Sequence, residues 1–204
     1  MFSSNVPSED RLLQMQLGDY DARDLPRIEV VDYDPRWPKT FERLRSRIWT
    51  ALRDLVLSVE HVGSTSVPSL AAKPIIDISI VVRDRSDVQP GISRLATLGY
   101  VHRGDLGIEG REAFANPDGL PMHNLYLCPR DSVALANHLA VRNYLRTHPE
   151  AASEYGELKK RLAERFPHDI DGYIDGKTTM LLTMLRASGF PPEQLREIER
   201  ANRK

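Results

Sequence analysis

Apolar residues at Phe41, Leu44, Ile48, Leu52 and Leu55 recur every three or four positions and predict a helix with one buried face. Arg43, Arg45, Arg47 and Arg53 fall mostly off that stripe and form a solvated face. The period then changes. LVLSVEHV predicts a strand that runs into the turn Gly63-Ser64-Thr65-Ser66, and IIDISIVV predicts a second, stronger strand. Alternation along the second sends Ile76, Ile78, Ile80 and Val82 to one face and Ile75, Asp77, Ser79 and Val81 to the other. Before the first helix, the β-branched run IEVVDY predicts a further strand.

Beyond residue 82 the pattern predicts a helix from Asp87 to Leu98 closed by Gly99, then a turn-rich stretch from Val101 to Pro121 that forms a hairpin or a loop. HNLYLC is a short strand, and Asp131-Ser132 offers an N-cap for a helix carrying Leu135, Leu139 and Arg142. Three helices follow. One carries Tyr155, Leu158, Leu162 and Phe166, one carries Tyr173, Lys177, Leu181 and Met184, and the last, after Pro191-Pro192, is charged enough to fray. The fold class is α+β, a mixed sheet flanked by helices with a helical C-terminal part. Residues 1–27 form a peripheral extension with a short apolar cluster at Leu12, Leu13, Met15 and Leu17, residues 28–189 the domain, and residues 190–204 a charged C-terminal helix.

Composition narrows the function. The 28 basic residues nearly cancel the 29 acidic ones, which argues against a polynucleotide partner and leaves room for a local anion site. A single cysteine, Cys128, fits a reducing cytoplasm, and the most apolar run is too short to span a membrane.

Gly63 and Ser64 stand where a strand gives way to a turn, a place where successive N–H groups and hydroxyls, continued by Thr65 and Ser66, can face phosphate oxygens. An aspartate follows on the next strand, where an unpaired buried carboxylate is costly; a salt bridge to Lys73 is the structural alternative to metal binding. Arg142 and Lys177 project from helix faces otherwise apolar, with Tyr173 one turn before Lys177, as cations turned toward an anion or as core-edge ion pairs. His61 and His138 fit satisfied structural histidines better than ligands.

The blocks VDYDPRWPKTFERL, EHVGSTSVPSLAAKPIIDISIVV, HNLYLC, HLAVRNYLRTHPEAASEYGELKKRLA and YIDGKTTML resemble, in order, those of the GrpB family over roughly residues 29–186. The resemblance implies a nucleotidyltransferase-superfamily fold of the polymerase-β type. In that pattern Gly63 and Ser64 contact the phosphates of an NTP, ATP foremost, and Asp77 with Ser79 holds Mg²⁺ or Mn²⁺. A small-molecule acceptor attacks with His123 as base, Lys73, Arg111, Arg142 and Lys177 bind negative charge, and His61, Asn124, Tyr126 and Tyr173 contact substrate. Ser79 stands where a second acid is usual, and Glu60, Glu109 and Glu112 are candidates for a missing carboxylate. The alternatives are a non-catalytic module that binds a nucleotide or phosphorylated metabolite, and a different metal-assisted reaction on Asp77, His61 and His123.

Overall fold

A computed structural model describes residues 26–203, so most of the expected N-terminal extension lies outside the described residues. Helix α1 spans Trp37–Leu52, with proline in its first turn, and buries Phe41, Leu44, Ile48 and Leu52, the stripe expected from the period. Strands β1 (Val56–Val62) and β2 (Ile76–Val82) pair antiparallel, joined through a 3₁₀ turn at Ser64–Ser66. A second 3₁₀ turn, Arg85–Asp87, leads into α2 (Val88–Thr97), and Gly99 follows it with φ of 88°. Strands β3 (Val101–His102) and β4 (Glu112–Ala115) form the hairpin alternative of the turn-rich stretch.

Strand β5 (His123–Pro129) lies between β4 and β2, antiparallel to the first and parallel to the second, which gives the sheet order β1-β2-β5-β4-β3. Helices α3 (Val133–Thr147), α4 (Pro149–Arg165), α5 (Ile170–Ala187) and α6 (Pro192–Asn202) complete the chain. The Ser132 hydroxyl accepts from the Leu135 N–H, as an N-cap should.

Side-chain parity divides the sheet. Ile76, Ile78, Ile80, Leu125 and Leu127 pack with α1 and Leu95 of α2 in the main core. Val81, Tyr126 and Cys128 belong to the opposite face, against Leu135 of α3. The IEVVDY segment departs from expectation: only Val31 pairs, with Ala72, as an isolated bridge. Ile28 is instead bonded to the Pro167 carbonyl and buried with Leu162 and Tyr173, so this apolar run packs against helices rather than joining the sheet. The charged helix α6 is anchored by Leu195, which is buried against Leu182 and Leu185 of α5.

Candidate functional site

On the sheet face that carries Asp77, β2, β5 and the helices enclose a cavity of about 530 Å³. Its sheet side is built by Gly63, Asp77, Asn124 and Tyr126, and its helical side by His138, Tyr155, Lys159, Tyr173 and Lys177. Gly63 has φ of 65°, and a Cβ there would lie 1.9 Å from Asp77 Oδ2. The turn therefore needs glycine twice, for its backbone conformation and for the carboxylate lying over it. Parallel register puts Asn124 beside Asp77, and the Asn124 Nδ2 donates to Asp77 Oδ1 at 2.8 Å. The Asn124 Oδ1, the other end of the same amide, is buried without a hydrogen-bond partner.

The 3₁₀ turn is fixed from beneath. Ser66 Oγ donates to the Gly63 carbonyl at 2.6 Å, and the Arg146 guanidinium donates to the Ser66 carbonyl. Thr65 Oγ1 donates to the Ile75 carbonyl, so it accepts from His61 Nε2 at 3.0 Å, which sets the His61 tautomer. Burial, with the charges of Arg146 and Arg142 behind it, lowers the His61 imidazole to about 4.

The cavity gathers Gly63, Ser64, Thr65, Lys73, Asp77, Arg111, Asn124, Tyr126, Tyr173 and Lys177 from the residues singled out in the sequence. Ser66 is buried beneath the turn, and His61 stacks on Phe41, 4.6 Å away, on the opposite face. His123 is placed differently from the expected base. Parity sets it with Leu125 on the core face, where Nδ1 donates to the Pro121 carbonyl at 2.6 Å and Nε2 meets the Tyr100 hydroxyl at 2.9 Å. Both ring nitrogens are thus engaged away from Asp77.

Arg142 is not among the cavity residues either: it reaches Glu60 at 2.8 Å and the His61 carbonyl at 3.1 Å, the ion-pair alternative. Glu60 is thereby accounted for, while Glu109 meets Arg85 and Glu112 meets His102, so none of the three supplies a second acid to the cavity. Ser79 is fully buried, with its hydroxyl 2.9 Å from His138 Nδ1, a position that does not suit a metal ligand.

Among the described residues, no three His, Cys, Asp or Glu side chains come together as a metal cage. The donor set does not fit two resident metal ions. It does fit one Mg²⁺ held jointly by Asp77 and the phosphates of a ligand, the usual way that ion is bound.

Lys159 is the principal residue that the sequence reading passed over. It follows Tyr155 by four positions, as Lys177 follows Tyr173, and both amines lie over those rings, at 4.7 and 4.9 Å. Lys73 approaches Tyr173 from the other segment, at 5.8 Å. Asp171, at the start of α5, also faces the cavity, and Arg111 lies over Tyr126 at 4.4 Å with a buried, unbonded Nε.

Residues 27–187 match the GrpB protein family over most of the chain. The chain belongs to the GrpB family. A relative, UPF0157 protein BH1888 of Halalkalibacterium halodurans, is 33% identical over 186 residues, covering 90% of this chain and 94% of that protein. UPF0157 protein YqkA of Bacillus subtilis is 35% identical over 157 residues, but there the match spans 46% of the relative. The crystal structure of the conserved protein GrpB from Enterococcus faecalis shares the fold with a TM-score of 0.70 at 35% identity, over 83% of this chain and 98% of that one. Within the GrpB match lie the Gly63 turn, Asp77, Asn124 and all three cavity lysines.

Proposed function

We propose that this GrpB-family chain binds a nucleotide, ATP foremost, or another phosphorylated small molecule in the cavity beside Asp77. The observation that carries this reading is the convergence of Lys73, Lys159 and Lys177 with the Gly63-Ser64-Thr65 turn around a cavity. Three amines and a glycine turn are suited to phosphate oxygens. Tyr155 and Tyr173 back the lysines and keep their amines near the cavity.

A second reading, nucleotidyl transfer to a small acceptor, is favoured by the placement of Asp77. It sits on a central strand, with one oxygen fixed by Asn124 and the other against Gly63. Bound there with an NTP, Mg²⁺ would neutralise charge on the phosphates. The chain's own residues would then orient the phosphates and exclude water. His123 has no part in either reading.

Titration calorimetry with ATP, first in EDTA and then with Mg²⁺, tests both. The binding reading expects metal-independent association, weakened about tenfold or more by Lys177→Ala, the size of a lost charged hydrogen bond. Asp77→Asn would leave that association intact, since it removes a negative charge from the phosphate's surroundings. Transfer would appear as pyrophosphate release that needs metal and disappears in Asp77→Asn. Absence of any ATP, ADP or pyrophosphate binding would sink the phosphate assignment.

A further inference from the structure

Lys159 is 2% exposed, yet it contributes to the cavity wall. Its Nζ donates to the Ala71 carbonyl at 2.5 Å, a contact that anchors α4 to the segment before β2. Its adjacent lysine has the ordinary fate: Lys160 reaches Asp32 and Glu157 at the surface.

The charged groups around Lys159 come from several elements. Lys73 lies in the segment before β2, Asp77 on β2, and Asp171 and Lys177 on α5; Tyr155 is on α4, Tyr173 on α5, and His138 faces the same cavity from α3. Arg111 and Arg200 stand further round the wall. Two carboxylates, Asp77 and Asp171, stand against the two ammonium groups of Lys73 and Lys177 and the guanidinium groups of Arg111 and Arg200, so cations are already in excess. A third ammonium at Lys159 is surplus charge in a place with almost no access to water. Burial first, and Lys177 next, accordingly hold its amine well below the ordinary lysine range. A phosphoryl dianion entering the cavity reverses that balance.

We propose that Lys159 meets the ligand as a neutral amine and takes up a proton as a terminal, doubly charged phosphoryl group enters, which makes the cavity selective for such a group over singly charged phosphodiesters. The proton passes from a buffer acid to Nζ, leaving the conjugate base in solution and an ammonium opposite the dianion. This rests on the phosphate reading of the cavity. It adds that the ligand ends in a phosphomonoester or terminal phosphate, and that its binding is linked to protons.

The full chain titrated with ATP at pH 8 in EDTA, once in Tris and once in HEPES, gives the proton count from the difference in heat. The expected result is uptake approaching about one proton per ATP. NAD, whose two phosphates each carry one ester and one shared anhydride bridge and so a single charge apiece, should bind at least about tenfold more weakly. Lys159→Met should lose both the uptake and the preference, and Lys159→Arg should bind ATP without uptake, since its charge is permanent.

ATP binding without proton uptake in the unmodified protein overturns the inference and leaves the phosphate reading standing. Undiminished uptake in a folded Lys159→Met protein also overturns it, because another group such as His138 would then be the acceptor. No ATP binding at all removes both.

Discussion

At the scale of single residues, His61 couples the fold to pH. The unfolded imidazole binds its proton as pH falls below 6.5, whereas the folded one stays neutral until about 4. The unfolded state therefore holds more protons across that interval, and the stabilisation present above pH 6.5 is lost as pH falls toward 4. The loss is about 3 kcal/mol at most, from the size of the shift. Burial lowers His123 as well, so it acts in the same direction. Urea denaturation at several pH values should show this slope, reduced in His61→Gln.

Residue chemistry was partly visible in the chain itself. Asp77 stands out because an acid among isoleucines and valines is hard to explain as packing. His123 misleads because β5 is almost wholly buried on both faces. Which of His123 and Asn124 shares a face with Asp77 depends on the parallel register with β2, and local alternation does not contain that register. Lys159 is hidden in a charged helix, next to Lys160, where solvent exposure is the ordinary expectation.

Among elements, the helices with clear apolar stripes and the strands on either side of the Gly63 turn were legible, because each carries its own period. The Ile28–Tyr33 run was not, since β-branched residues suit a helix-covered crevice as well as a sheet. The packing of α4 on its neighbours yields a paired prediction. A Cβ at Gly156 would meet Leu70 and Ala71 at 3.5 and 3.6 Å, ordinary contact, whereas one at Gly176 would come within 2.3 Å of Leu162. Gly156→Ala should therefore be neutral or stabilising by up to about 1 kcal/mol, from helix propensity. Gly176→Ala should be the less stable of the two by about 1–3 kcal/mol, because the α4–α5 contact must shift. Thermal unfolding of both variants decides the order.

At the scale of the whole molecule, the cavity draws its wall from the turn at residue 63 through to Asn202 of α6. Removing residues 190–204 takes away Arg200, Ala201 and Asn202 from that wall and Leu195 from the cluster with Leu182 and Leu185. The shortened chain should lose about 2–4 kcal/mol of stability, the scale of one or two buried aliphatic side chains. A lower urea midpoint is the readout, and an unchanged one would show that α6 contributes no net stability.

The pairing of Asp77 with Asn124 joins positions 47 apart in the chain, and the bond from Lys159 to Ala71 joins positions 88 apart. Closing such long loops is slow compared with forming a helix or the β1–β2 hairpin. During synthesis the chain thus carries the glycine turn, Lys73 and Asp77 long before Lys159 and Lys177, which complete their surroundings, exist. The cavity itself is therefore completed late in the life of the nascent protein, when α4 and α5 have emerged and docked.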